Sequence, residues 1–207
     1  MRCELIDIGK TFQYSKVFRG VNLTLDSGWR GVVLGGNGSG KSTLLKIIAG
    51  SLTPSEGRVL FSKDGRQLKG FEMIENVAFA APYIDLIEDF TIPEILSFYT
   101  RFKPLRKAIS TADFLDLCGL QQAKNKPIKY FSSGMRQRLK LALAILSDTD
   151  MLLLDEPHSN LDKRGMDWYH ALIDQHLDNR IVVIGSNHQK EEYFFAQHEI
   201  AIQDFKK

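Results

Sequence analysis

Residues 35–43 read GGNGSGKST, and the spacing G-x-x-x-x-G-K-[ST] over Gly35, Gly40, Lys41 and Ser42 suits one task, the holding of a polyphosphate. Glycines let successive backbone N–H groups turn inward on phosphate oxygens, Lys41 brings positive charge to the β- and γ-phosphates, and the Ser42 hydroxyl is a ligand for magnesium. A second group closes the run MLLLDE at 151–156. Asp155 ends an apolar stretch, placed to hold magnesium directly or through water, and Glu156 beside it can orient a water near the γ-phosphate and take its proton. A third stretch, YFSSGMRQR at 130–138, sets Ser132, Ser133 and Gly134 in front of a helical pattern. Ser132 is a good N-cap. The same helix start leaves free N–H groups and the positive end of a dipole, which can hold an anion.

The elements around these stretches decide whether the chemistry can be assembled. Gly31–Leu34 reads as a short apolar strand before the phosphate loop, and Thr43–Ala49 as an apolar helix after it, closed by Gly50. Upstream and just downstream, alternation marks Leu5–Ile8, Val21–Leu25, Arg58–Phe61 and Val77–Ala80 as strands of a β-rich N-terminal region. Between Tyr83 and Tyr130 the pattern turns helical. Ile95, Leu96, Phe98, Tyr99 and Phe102 form one apolar face, and Ser110 caps a second short helix that Gly119 ends. From Ser132 a helix buries Met135, Leu139, Ala142 and Leu146 and leaves Arg136, Arg138 and Lys140 toward solvent. Then come an apolar strand at 151–154, a helix around 168–177 and an apolar strand at 181–184. Apolar strands alternating with helices predict a parallel sheet flanked by helices in an α/β fold.

Bulk composition narrows the setting. The 207 residues are enough for one domain with an insert, and 27 basic against 25 acidic residues give a net charge of +2, no broad footprint for nucleic acid or anionic lipid. Cys3 and Cys118, far apart and without metal-ligand spacing, read as reduced thiols of a cytosolic protein. LALAILSDTDMLLL is the longest apolar stretch, and Ser147 to Asp150 break it, so no segment is expected to cross a membrane. The opening MRCELIDIGK offers no apolar signal core.

With these residues in place, the chain resembles the ATP-binding subunits of the ABC transporter family over nearly its whole length. GGNGSGKST is similar to the family's Walker A motif, MLLLDEP to Walker B, and YFSSGMRQR falls where the signature motif, usually LSGGQ, is expected. The resemblance implies a single nucleotide-binding domain over 1–207. Its P-loop core with an N-terminal antiparallel β-subdomain covers about 1–82 and 131–207, and an α-helical insert covers about 83–130. It implies Mg-ATP as ligand, held by Gly35, Gly36, Asn37, Gly38, Ser39, Gly40, Lys41, Ser42 and Thr43, with Ser42 and Asp155 on the metal and Lys41, Glu156 and His188 in catalysis. Ser132, Ser133 and Gly134 would touch the γ-phosphate of ATP held by the other subunit of a head-to-tail dimer.

Further positions follow the same resemblance. Asp162, in SNLD, matches the acid of the loop that passes signals between the two sites, and is also placed as a helix N-cap. His188 stands at the switch histidine, and Phe12, in GKTF, stands at the aromatic that stacks on adenine or else packs in the core. His170, His176 and His198 are assigned to helix or loop surface. Three positions and one stretch depart from the family pattern: Ser133 replaces a glycine, Met135 a glutamine and Asn187 a threonine, while Ala80-Ala81-Pro82-Tyr83 lacks the glutamine that normally opens the insert. The implied function is ATP hydrolysis driving a separate membrane permease. The partners are a second copy or a homologous subunit together with that permease, without direct nucleic-acid binding. The location is cytoplasmic, at the inner face of the membrane. Two other readings stay open, a non-transport ABC ATPase acting on nucleic acid or ribosomes and a low-turnover ATP-binding scaffold.

Overall fold

The computed structural model describes residues 1–106 and 109–206. In chain order the elements are β1 (Arg2–Phe12), β2 (Ser15–Asp26), β3 (Arg30–Leu34), α1 (Lys41–Ile48), β4 (Glu56–Lys63), β5 (Arg66–Leu68), α2 (Phe71–Glu75) and β6 (Val77–Ala80). They continue as α3 (Ile92–Tyr99), α4 (Thr111–Cys118), α5 (Ser133–Ile145), β7 (Met151–Asp155), α6 (Lys163–Gln175), β8 (Ile181–Ser186) and β9 (His198–Ala201). The chain forms two compact units, one of Met1–Phe79, Asp150–Glu156 and Asn179–Lys207, the other of Ala80–Thr149 and Pro157–Asp178. Of the insert expected over 83–130, residues 107 and 108 lie outside the described residues.

The first unit carries two sheets. In the antiparallel sheet, of order β2-β1-β4-β5, Cys3 faces Leu25 on one side and Phe61 on the other. The alternation read in the sequence is thus the pleat itself, with Cys3, Leu5, Ile8, Phe18, Val21, Leu25 and Phe61 buried together. Phe18 and Phe61, each at most 2% exposed, contribute roughly 1.5–3 kcal/mol apiece through burial. The second sheet has the order β6-β7-β8-β3-β9, with β3, β7, β8 and β9 parallel. Every residue of β7 and β8 is buried, which is why these strands read as unbroken apolar runs. This is the α/β architecture that the sequence pattern predicts, an antiparallel sheet beside a parallel sheet flanked by helices. One strand changes company: Val77–Ala80, grouped by sequence with the β-rich N-terminal region, is the edge of the parallel sheet next to β7. Alternation marks a strand but carries no information about which sheet it joins.

The second unit is helical, and its helix starts are set by side chains. Thr91 with Glu94 and Ser110 with Asp113 form capping boxes on α3 and α4, and Gly119 ends α4 in the left-handed conformation at φ 66°. Ser132 caps α5 and Asp162 caps α6, so α6 begins at Lys163, five residues before the stretch that periodicity marked. The Trp168 indole N–H donates to the Leu117 carbonyl at 2.6 Å, joining α6 to α4. Cys3 and Cys118 are free and buried, and burial pushes both thiols up from their ordinary range. Among the described residues no helix is long and apolar enough to cross a membrane.

Candidate functional site: a phosphate cradle and a separate serine-lined cleft

The parallel strands of the first unit end together. Leu34 pairs with Ser186 and Asp155 with Gly185, so the loop after β3, Glu156 and the residues after β8 all leave the same edge of the sheet, where open parallel sheets bind ligands. The loop reaches α1 through Gly40 at φ 111°. A β-carbon there would stand 2.7 Å from Val17 Cγ1 and 3.1 Å from Phe18 Cδ1, so only glycine fits. Having no side chain, Gly40 cannot cap α1, and the first-turn N–H groups of that helix remain donors for an anion.

Lys41 opens α1 with its side chain only 4% exposed. Its ammonium donates to the Gly35 carbonyl at 2.9 Å and the Gly36 carbonyl at 3.2 Å and stands 3.7 Å from Glu156 Oε1. A cleft of about 370 Å³ is lined by Asn37 to Thr43, Val17, Glu156 and Phe12. Phe12 is 47% exposed, and the Lys10 ammonium lies 4.9 Å from its ring centroid. The ring is therefore exposed beside the glycine-rich loop and is not a core residue.

Asp155 and Glu156 separate sharply although adjacent. Asp155 is 1% exposed, whereas the Glu156 side chain is 37% exposed, at a backbone φ of 45°. Glu156 is therefore strained into the left-handed region, at a cost of roughly 1–2 kcal/mol. Its N–H donates to the Gly185 carbonyl at 2.8 Å. Gly185 also makes room for its neighbour, since a β-carbon there would lie 2.5 Å from Asp155 Oδ1. His188 is exposed, also left-handed at φ 61°. The turn that carries it is built on a buried pair: Ser186 Oγ donates to the Glu192 carboxylate, and the Gln189 N–H donates to Ser186 Oγ at 3.2 Å. Asp155 and His188 stand outside the cleft lining, at the ends of β7 and β8.

The second unit holds a cleft of its own, about 350 Å³, lined by Ser132, Ser133, Gly134, Met135 and Arg138 of the α5 start, by Asn160, Leu161 and Asp162, and by Gly119 and Leu120. Ser132 Oγ accepts the Met135 N–H at 3.2 Å. Asp162 Oδ1 accepts the Gly165 N–H at 2.7 Å and lies 3.8 Å from Arg138 Nη2, so its role as helix cap is met while it also lines the cleft. The basic residues of α5 do not point freely to solvent as periodicity suggests. Arg138 lies 5.5 Å over the Trp168 ring. Arg136 donates to the Phe131 carbonyl and pairs with Glu88 at 3.3 Å. The half-buried Lys140 donates to the carbonyls of Ala81 and Pro82, each at 3.0 Å.

Two further residues escaped sequence reasoning. Gln137, inside a basic stretch, is 2% exposed and donates to the Pro157 carbonyl at 3.0 Å. His158, 5% exposed, packs edge-on against Tyr169 and beside His170. No periodicity signals either one. His170 and His176 lie on or at the end of α6, as assigned, but His198 is on strand β9, stacked 5.2 Å from Trp29, and not on a helix or loop.

Comparison with known proteins completes the picture. The family model for the ABC transporter matches residues 18–159. YcbN of Bacillus subtilis, an uncharacterised ABC transporter ATP-binding protein, is 32% identical over 157 residues, which cover 76% of this chain and 51% of YcbN. The chain thus spans about half the length of that relative. CcmA of Mesorhizobium japonicum, a cytochrome c biogenesis ATP-binding export protein, is 34% identical over 176 residues, covering 83% of this chain and 84% of CcmA. Among solved structures, the dimeric post-hydrolysis state of the ATP-binding cassette MJ0796 bound to ADP and Pi superposes with a TM-score of 0.80 at 23% identity, over 97% of this chain and 94% of that one. The chain belongs to the ABC transporter family.

Proposed function

We propose that the two units form one ABC-type nucleotide-binding domain that binds Mg-ATP, dimerises head to tail around two nucleotides, hydrolyses them and thereby drives a separate membrane permease. The observation that carries this reading is the pairing of Lys41 with Glu156 at 3.7 Å in a cleft that also presents Phe12 and the phosphate loop. Phe12 stacks on the adenine. The N–H groups of Gly36 to Thr43 and the Lys41 ammonium hold the phosphates. Magnesium, when bound, would supply charge neutralisation for the phosphates. The hydroxyl of Ser42 and the carboxylate of Asp155 are hard oxygen donors of the kind that hold this ion together with phosphate, and the space left by Gly185 fits that carboxylate.

Glu156, exposed enough to meet water, orients the attacking molecule and takes its proton as the bond from the γ-phosphorus to the bridging oxygen breaks. His188 contacts the γ-phosphate from the turn after β8. Ser132, Ser133 and Gly134, with Asp162 nearby, bind the γ-phosphate of the nucleotide cradled by the partner subunit, so each copy supplies what its twin lacks. Nucleotide then adds contacts on both sides of the interface, and loss of the γ-phosphate removes them. The permease places the protein at the inner face of the membrane, and nucleic acid is not a partner. Glu156→Gln should bind ATP without turnover and run as a dimer on size-exclusion chromatography at saturating ATP. A monomer under those conditions refutes the composite site.

A further inference from the structure

The segment that opens the helical unit, Ala80-Ala81-Pro82-Tyr83, offers no side-chain donor or acceptor before Tyr83, yet it is tied down. Lys140, on α5 two turns beyond the Ser132 cap, donates to both the Ala81 and Pro82 carbonyls at 3.0 Å. The Ala81 carbonyl also accepts the Ile84 N–H at 3.2 Å, so one oxygen joins the turn to the helix. Further along the same segment, Arg136 pairs with Glu88, and the backbone N–H groups of Lys129 and Ile128 donate to the Glu88 and Phe90 carbonyls at 2.8 and 2.9 Å. Residues 81–90 are therefore laid along the polar face of α5 and the turn before it. At their amino-terminal end the Lys140 ammonium reaches this segment from α5 with two hydrogen bonds.

A half-buried ammonium carries a desolvation cost, visible in the lowering of the Lys140 pKa by burial, with Asp85 opposing and Arg136 adding to the shift. Two carbonyl acceptors offset that cost, and a leucine or alanine would pack there without any. A cation is needed only if the segment is to be held.

We infer that Lys140 is a positioning residue, a latch that fixes residues 81–84 to α5 so that the segment and the Ser132–Gly134 start of that helix move as one body. Its functional arm rests on the composite ATP site proposed above; its structural arm does not. Two variants test it, Lys140→Met, which keeps the stem and removes the donors, and Lys140→Arg, which keeps charge and donors. Hydrogen exchange read by mass spectrometry on the nucleotide-free protein should show amides of 83–86 exchanging about 10-fold faster in Lys140→Met and near the wild-type rate in Lys140→Arg, the fold-change expected for a partly exposed hydrogen bond to a charged group. Protection of α1 and β7 should not change, which reports that the variant is folded. If Lys140→Met does not fold, Lys140→Gln carries the same comparison. In turnover assays kcat should fall about 10-fold in Lys140→Met with ATP affinity in the cradle within twofold of wild type, and recover in Lys140→Arg. Unchanged exchange at 83–86 overturns the latch. Faster exchange with unchanged kcat overturns its positioning role. A wild-type protein that neither hydrolyses ATP nor dimerises with it defeats the composite site instead, and the exchange result still decides the latch.

Discussion

Glu156 makes separable demands through its backbone and its side chain. At φ 45° its backbone sits in the left-handed region, which costs an L residue roughly 1–2 kcal/mol. Glycine removes that cost, but its greater freedom in the unfolded chain takes back roughly 0.5–1 kcal/mol. Glutamine leaves the backbone cost in place. Both substitutions remove the ion pair with Lys41, whose Glu156 side chain is 37% exposed at 3.7 Å and whose worth is below about 1 kcal/mol. The difference between the variants therefore isolates the backbone. Glu156→Gly should be more stable than Glu156→Gln by about 0.5–1 kcal/mol, or about 1–4 °C in Tm for a chain of this size. In phosphate-release assays the two should be alike, each slower than wild type by about 10²- to 10⁴-fold. Calorimetry in which Glu156→Gly melts at or below Glu156→Gln removes the strain argument. Hydrolysis within tenfold of wild type in either variant removes the assignment of Glu156 as base.

Three other outcomes follow from the geometry. Lys41→Ala deletes a charge-assisted contact to phosphate and should weaken ATP binding about 10- to 100-fold in a calorimetric titration; affinity equal to wild type refutes the cradle. Ser132→Ala removes the acceptor of the Met135 N–H and should cost about 1 kcal/mol of stability by thermal melting, while abolishing ATP-driven dimerisation of the Glu156→Gln protein; a dimer that persists detaches Ser132 from the interface. Glu94 and Asp113 are held below the usual carboxylate range, chiefly by hydrogen bonds from the Thr91 and Ser110 side chains. Because the folded values lie below the unfolded ones, their caps contribute fully above that range and lose their effect as pH falls through it. First-turn amides of α3 and α4 should lose protection on acidification, and unchanged protection speaks against the capping boxes.

The parts legible in the sequence are those whose chemistry fixes both residue type and spacing. The glycine-rich turn into α1, the Ser110 and Gly119 ends of α4 and the Ser132 cap each rest on local backbone geometry, which a short stretch specifies. The apolar runs of β7 and β8 announced strands buried on both faces. What stayed hidden depends on distant chain. Periodicity leaves Lys140 toward solvent on α5 but cannot tell that the carbonyls of residues 81 and 82 come to meet it, and it does not single out Gln137, which meets the carbonyl of residue 157. The short strands β5 and β9, of three and four residues, carry no apolar alternation that marks them. His158 follows a proline between two polar stretches, and only the ring of Tyr169 against it makes it a buried residue.

The two small residues that follow Ser132 are not equivalent. Ser133 is exposed, whereas a β-carbon on Gly134 would press to 3.1 Å against the Asn160 carbonyl. At the first position the exposed serine side chain is accommodated by the scaffold. At the second, a single added methyl asks the Asn160 carbonyl on the facing wall of the recess to give by a few tenths of an ångström.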